Sequence, residues 1–376
     1  MDSPGGLRKQ VRKINAAVLR RHGAPLALEA LELDDIRHDE LLVRVVACGV
    51  CHTDVACRDA VIPVPLPIVL GHEGAGVVEQ VGHSVTTVHS GDHVLLSFSY
   101  CRVCPPCLSG ASPYCDRFGE LNFGGARADG SATLTGQDGP VHGSFFGQSA
   151  FASHVLVRGA DVVPVSRDLP LDVLAPLGCS AQTGAGAVLN TLKPAVGEGI
   201  AVFGVGTVGL AAIMAARIAG CQPIIAIDRV GGRLQLARDL GATHCVAAAG
   251  VEQLAQAVRD TYGPVRYSID TTGNGHVIAA ATQVIEGRGT CLMLGVSPAG
   301  ARLPIDIRSL VRRGITLRGV VEGDSVPSVF IPTLVEHYRE GRFPLDRLIQ
   351  RYALNEINRA LDDAATCAVV KPVVIF

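Results

Sequence analysis

The sequence lacks any apolar run near the ~18 residues that a membrane-spanning helix requires. It also has no block of like charge, no internal repeat and no low-complexity tract. The net charge of −2 offers no electrostatic footing for nucleic acid or an anionic membrane surface. The opening stretch "MDSPGGLRKQVRKINAAVLRRHG" has basic residues but no apolar core of the kind a secretory leader carries. A cytosolic location is therefore expected, with residues 1–13 as a frayed arm. Charged residues make up only 18% and hydrophobic ones 48%, which suits a globular chain rather than a disordered one. At 376 residues the chain exceeds what one core usually organises, so two domains are expected.

What is present in excess is cysteine, twelve in all. A disulfide framework does not fit this length and compartment, which leaves metal binding or catalysis. "CRVCPPCLSGASPYC" places Cys101, Cys104, Cys107 and Cys115 within fifteen residues. Four thiolates at that spacing suit a closed tetrahedral zinc site. Such a site would staple residues 97–150, a Gly-, Ser-, Cys- and aromatic-rich stretch that reads as loops. Packing is the default for Cys48, Cys57, Cys221, Cys245, Cys291 and Cys367.

"ELLVRVVA" (40–47) and "GAGVVEQV" (74–81) read as strands separated by a proline-marked loop. From about residue 181 the pattern changes to apolar strands alternating with helices, which implies a parallel sheet wrapped by helices. This βαβ rhythm fades near residue 320. A helix-like stretch, "VPSVFIPTLVEHYREG", and a final strand, "KPVVIF", follow. The expected fold class is α/β, with a doubly wound parallel sheet inserted into a β-rich part.

"GVGTVG" follows an apolar strand and opens a helix, which makes it a dinucleotide-binding candidate. Gly204 would allow the tight turn, Gly206 the approach of a pyrophosphate, and Gly209 close helix–strand packing. Asp228 ends the next strand, where an acid hydrogen-bonds the adenosine ribose and repels a 2′-phosphate. NAD is therefore expected over NADP, although Arg229 stands next door. The alternative is a glycine turn in an ordinary α/β sheet.

"CHTD" places Cys51 beside His52, Thr53 and Asp54, and "LGHEGAG" and "PLGCSAQTG" carry His72 and Cys179. Taken singly, His72 and Cys179 each suit a buried structural role as well as a ligand. What joins them is a resemblance. "CHTD", "LPIVLGHEGAGVVE", the four-cysteine lobe, "LGCSAQTGAGA" and "GVGTVG" occur in the order seen in zinc-dependent medium-chain alcohol dehydrogenases. "PLGCSAQTGAGAVLN" and "GVVEGDSVPSVFIPTLVEHYREGRFPLDRLI" look most like the aryl (benzyl) alcohol dehydrogenase subgroup. The resemblance runs from about residue 14 to the end.

It implies a GroES-like catalytic domain with the four-cysteine lobe (1–180), a Rossmann NAD-binding domain (181–320) and a return segment (321–376). It implies two zinc ions. The catalytic one would sit on Cys51, His72 and Cys179, with Glu73 as an occasional alternate ligand, and the structural one on the four clustered cysteines. Asp54 would orient His72 or its neighbours from behind. His52 and Lys371 match positions that reach the cofactor pyrophosphate, Thr183 a contact near the nicotinamide, and Arg233 a basic position near the adenosine ribose. Phe98 would line the substrate pocket. Phe118, Phe123, Phe145 and Phe146 would divide between pocket wall and local core.

The implied reaction is reversible oxidation of a primary aromatic or allylic alcohol to its aldehyde by hydride transfer to NAD. Thr53, two residues from Cys51, has a hydroxyl that both donates and accepts, as a proton shuttle must. Many relatives pass the proton on to a histidine where this chain has Ala56, so water is expected to carry the last step. Geraniol- or perillyl-type terpenoid alcohols fit almost equally well. An anionic S-hydroxymethyl thiol, as in thiol-dependent formaldehyde dehydrogenases, would need a basic pocket, and residues 116–150 offer only Arg117 and Arg127. A non-catalytic binding protein on this scaffold would be expected to have lost ligands or glycines, and none is missing. The strand "GTCLMLGV" resembles the sheet edge through which family members pair, so a homodimer or homotetramer is expected.

Overall fold

The computed structural model describes residues 12–248, 250 and 254–376. Two of its three sheets are β-rich. In the first, β4 (Ile68–Val69), β1 (Arg12–Leu19), β2 (Ala27–Leu33), β7 (Leu134–Gly136) and β8 (Gly139–Val141) lie side by side. The second orders β10 (Val162–Val165), β6 (His93–Leu96), β5 (Glu73–Val81), β3 (Glu40–Gly49), β18 (Lys371–Ile375) and β17 (Ile349–Ala353), with β9 (His154–Arg158) also on β3. β3 is buried along nearly its whole length because it has neighbours on both sides. β18 brings the C-terminal tail back to this sheet, pairing Val373 with Gly49 and Val374 with Cys48.

The third sheet is wholly parallel: β13 (His244–Ala247), β12 (Ile224–Asp228), β11 (Ile200–Phe203), β14 (Val265–Asp270), β15 (Ile285–Met293) and β16 (Thr316–Gly319). β11 is buried at every residue, as expected of a central strand covered by helices on both faces. Counted from β11, the spatial order is 3-2-1-4-5-6, the dinucleotide-binding arrangement, with a topological switch between β11 and β14. The doubly wound insert in a β-rich frame is thus the fold the resemblance implies.

Three local expectations change. Arg12 and Lys13 are not part of an arm but open β1, where Arg12 pairs with Leu33 and Lys13 with Glu32. The rest of that arm lies outside the described residues. The stretch 97–150 holds more than loops: it contains β7, β8 and a helix over Phe118–Phe123, because β2 offers a free side on which Leu134 and Thr135 pair. "GTCLMLGV" is not a sheet edge. β15 is flanked by β14 and β16, and the sheet has its two edges at β13 and β16.

The helix Ser180–Gly186 packs closely on Thr207–Ile218, which the "GVGTVG" turn opens. A Cβ on Gly184 would lie 1.9 Å from the Val208 carbonyl oxygen, whereas one on Gly231 would meet nothing within 4 Å. Thermal melts should show Gly184→Ala losing about 1–3 kcal/mol of stability to overpacking. Gly231→Ala should stay within about 0.5 kcal/mol of the parent. Equal melts for the two variants would contradict the packing described.

Candidate active site

The ladder between β3 and β5 pairs Gly49 with Glu73. Cys51 lies just past the last residue of β3 and His72 just before the first of β5, at the same end of that ladder, so antiparallel register brings them together across 21 residues of chain. Cys179 arrives between the turn Ala175–Gly178 and the helix Ser180–Gly186. The ligand atoms of Cys51, His72 and Cys179 all lie within 4.8 Å of one another. His72 is fully buried. Its Nδ1 faces Asp54 Oδ1 at 2.9 Å, and its Nε2 has no hydrogen-bond partner. A buried imidazole nitrogen without a partner, beside two thiols, is a donor set that could hold a metal ion, and two Cys with one His suit zinc.

Asp54 is buried completely and accepts from the backbone N–H groups of Cys51 (2.9 Å) and Gly71 (3.1 Å) as well as facing His72. One carboxylate thus ties both ligand-bearing segments and sets the imidazole orientation. Hydrogen bonding toward Cys179, against the opposing effect of burial, holds the Cys51 thiol well below its ordinary pKa. Thr53 Oγ1 lies 3.8 Å from Cys51 Sγ at the start of the helix His52–Arg58. His52 is exposed beside it, and Ala56, one turn on, is buried.

Glu73 is not among the three ligand atoms that lie within 4.8 Å of one another. It forms a fully buried ion pair with Lys371, and its Oε1 accepts from Ser180 N at 3.0 Å. It therefore does not join the ligand cluster as the resemblance allowed. Lys371 also differs from its expected role. Its ammonium is held by Glu73 and by the Val50 carbonyl at 2.9 Å, away from solvent. The backbone just before it does reach the nucleotide turn, where Val370 O accepts from Thr207 Oγ1 at 2.9 Å.

At that turn Gly204 has φ +85°, and a Cβ there would strike Thr271 Oγ1 at 2.5 Å. A Cβ on Gly209 would lie 2.0 Å from Gly204 O, while one on Gly206 would meet only Arg233 Nη1 at 3.8 Å. The turn is thus closed on its inner side and open over Gly206. Asp228 accepts from Val205 N at 2.7 Å and Val230 N at 2.9 Å, which binds the end of β12 to the turn. Arg233 donates to Val369 O at 2.9 Å. Thr183 Oγ1 donates to Cys179 O at 2.9 Å, next to the cluster.

The four clustered cysteines converge as well. Cys101–Cys107, Cys104–Cys107 and Cys104–Cys115 have Sγ–Sγ distances of 3.8, 3.4 and 3.9 Å. A tetrahedral zinc with Zn–S near ~2.3 Å sets its sulfurs about 3.8 Å apart. Backbone N–H groups of Val103 and Cys104 point at Cys101 Sγ and draw that thiol down to about 6, toward the thiolate a metal requires.

Residues 37–167 match the alcohol dehydrogenase GroES-like domain model, and residues 207–337 match the zinc-binding dehydrogenase model. A geraniol dehydrogenase from Castellaniella defragrans is 44% identical over 363 residues, 96% of this chain and 97% of the relative. The chain belongs to the zinc-dependent medium-chain alcohol dehydrogenase family. The crystal structure of benzyl alcohol dehydrogenase from Acinetobacter calcoaceticus superposes with TM-score 0.92 at 40% identity, covering 97% of this chain and 99% of that one. An alcohol dehydrogenase zinc-binding domain protein from Burkholderia ambifaria gives TM-score 0.94 at 47% identity, with 98% and 100% covered. No helix among the described residues is long and apolar enough to cross a membrane.

An aromatic cluster surrounds the His72 ring in this dehydrogenase. Phe146 stacks on it at 4.5 Å and Phe145 meets it edge-on at 5.4 Å. Phe123 and Phe118 extend the cluster, and Phe98, almost fully buried, reaches it through Phe118 at 5.9 Å. Two contributors escaped the sequence reading. Gln148 donates to His72 O at 3.0 Å and accepts from Gly74 N at 2.9 Å, bracing the ligand strand. Glu322 places Oε1 3.4 Å from Cys179 Sγ, and burial pushes its carboxyl up to about 7. The signal for Glu322 was available: an acid directly after the apolar pair Val320–Val321.

Two substitutions test this architecture. Asp54→Asn should weaken zinc at the three-ligand cluster about 10–100-fold in chelator competition, with the four-cysteine metal retained. Lys371→Met should cost about 3–5 kcal/mol, because it strands a buried carboxylate. Adding Glu73→Gln should recover part of that loss, since the amide oxygen still accepts from Ser180 N. A double variant no more stable than Lys371→Met would mean that the ion pair is not what holds Glu73.

Proposed function

We propose that the chain catalyses NAD-linked, reversible oxidation of a primary aromatic or allylic alcohol to its aldehyde, of benzyl alcohol type. The observation that carries this reading is the aromatic packing around His72, which makes the surroundings of the ligand cluster apolar on that side. Each buried CH₂ is worth about 0.8 kcal/mol, so a large apolar alcohol gains over ethanol in such surroundings. Terpenoid alcohols of geraniol type meet the same requirement, and the geraniol and benzyl alcohol dehydrogenases among its relatives support this substrate range. A thiol-adduct substrate is not supported. Arg127 is buried on Asp34 and Glu40, and Arg117 is paired with Glu120, so neither is free for an anion.

In this reading Cys51, His72 and Cys179 hold a catalytic zinc, and Cys101, Cys104, Cys107 and Cys115 a structural one. The Gly204–Gly209 turn, Asp228 and Arg233 hold NAD, with the Asp228 carboxylate disfavouring a 2′-phosphate. Zinc supplies the Lewis acidity that acidifies an alcohol hydroxyl, and NAD supplies the hydride acceptor. Thr53 Oγ1 takes up the alcohol proton and passes one on, and His52, exposed one residue earlier, opens that route to water. Burial of Ala56 leaves no polar group to extend the relay inward. Residues 1–180 and 321–376 would form the catalytic part and 181–320 the nucleotide part. Pairing of copies would use the free side of β16, as a dimer or tetramer.

The deciding assay is the initial rate of NADH formation by zinc-replete protein with NAD and benzyl alcohol, geraniol or ethanol. Benzyl alcohol or geraniol should far outpace ethanol, and inactivity with all three would remove the reading. Thr53→Val should lower turnover about 10²-fold or more, the usual scale for losing a positioned proton-transfer group. NADH affinity should be unchanged, and Thr53→Ser should restore most of the rate.

A further inference from the structure

Glu322 is a buried acid that no step above uses. It lies three residues beyond the end of β16 and is 7% exposed. Its carboxylate has three long contacts: Cys179 Sγ at 3.4 Å, Thr183 Oγ1 at 3.4 Å and Gln182 Nε2 at 3.5 Å. None is a committed donor. The Thr183 hydroxyl has the Cys179 carbonyl at 2.9 Å, and Gln182 Nε2 has Gly178 O at 2.6 Å and Ser97 Oγ at 2.8 Å. The Cys179 thiol loses its hydrogen when it ligates a metal. A carboxylate excluded from water and short of donors is costly unless something else supplies them.

The backbone that presents it is unusual. Glu322, Gly323 and Asp324 have φ of +48°, +65° and +50°, a left-handed run that non-glycine residues adopt at a cost. Surrounding contacts enforce the run. A Cβ on Gly186 would lie 2.2 Å from Gly323 O, Asn190 Nδ2 donates to that oxygen at 3.1 Å, and Thr191 and Tyr114 hydroxyls donate to Asp324 at 2.8 and 2.6 Å. The Glu322 side chain is therefore aimed, not left over.

Its position indicates what it faces. Cys179 and Thr183 belong to the segment that joins the three-ligand cluster to the nucleotide turn, through Gly184 packed on Val208. A dinucleotide seated on Gly204–Gly209 and reacting at the cluster must bring its nicotinamide to this segment. The ring substituent that carries N–H donors is the carboxamide.

We propose that Glu322 binds the nicotinamide carboxamide, its carboxylate accepting a hydrogen bond from the amide NH₂. The assignment rests on the NAD-linked reading above. It makes Glu322 a cofactor-binding residue that selects an amide at the ring's 3-position.

The test is calorimetric binding to zinc-replete protein of three ligands: NAD, its 3-acetylpyridine analogue, in which a methyl ketone replaces the amide, and ADP-ribose, which lacks the ring. In Glu322→Leu, NAD should bind about 10–100-fold more weakly, the loss of a hydrogen bond to a charged acceptor. The acetylpyridine analogue and ADP-ribose should be unaffected, so the preference for the amide collapses. Glu322→Gln keeps a neutral acceptor and should narrow the preference only in part. Equal weakening of NAD and the acetylpyridine analogue, or no weakening of NAD, would overturn the assignment. Should Glu322→Leu not fold, a Glu322→Gln variant with the full wild-type preference would overturn it equally. If wild-type protein binds neither NAD nor ADP-ribose, the NAD reading fails instead. Normal ADP-ribose binding without amide discrimination removes Glu322 alone.

Discussion

The buried ion pair between Glu73 and Lys371 joins three segments that are far apart in sequence. Glu73 opens β5, Lys371 opens β18, and Ser180, whose N–H the same carboxylate accepts, opens the helix that follows Cys179. That one carboxylate fixes the C-terminal tail, the His72 strand and the Cys179 turn to one another by directed contacts. Apolar packing is non-directional and does not set positions to the tolerance a metal requires. Both charges are sealed from water, so each is tolerable only because the other is present. Lys371 also donates to Val50 O, one residue before Cys51, which draws the fourth segment into the same arrangement.

Around this centre the ligands follow from strand register. Pairing Gly49 with Glu73 decides that Cys51 and His72 face one another, and Asp54 then binds both segments through three contacts. A slip of one residue in that ladder would turn His72 to the opposite face, since side chains alternate along a strand. The aromatic cluster beyond His72 shields the imidazole and shapes what can approach it. Ligand geometry and the apolar surroundings are therefore consequences of one sheet.

The four-cysteine lobe has little core of its own: Val103 and Leu108 stand exposed. Its order comes from the sulfurs and the backbone N–H groups that point at them. Yet it is not isolated, because Tyr114, just before the fourth cysteine, donates to Asp324 in the left-handed loop beside Glu322. The lobe thus braces the loop that faces the three-ligand cluster.

Much of this was legible in the sequence because it is local. Strand–turn–helix order around "GVGTVG", four cysteines in fifteen residues and the βαβ rhythm depend on neighbours in the chain, where spacing and periodicity carry the information. Gly204, Gly206 and Gly209 stand in the three spatial situations their spacing suggests. The joining of Cys51, His72 and Cys179 was not legible from spacing, since 21 and 107 residues separate successive members, and only a family resemblance linked them. The inward turn of Lys371, the position of β15 inside the sheet rather than at its edge, and the aim of Glu322 were decided by tertiary structure alone. Each depends on a partner from a distant segment: a carboxylate on β5, a sixth strand, a glycine-to-glycine contact between a helix and a left-handed loop. The local chain determines which residues are available for metal, nucleotide and turn. Long-range register and burial determine which polar groups are left without a partner, and those are the groups available to a ligand.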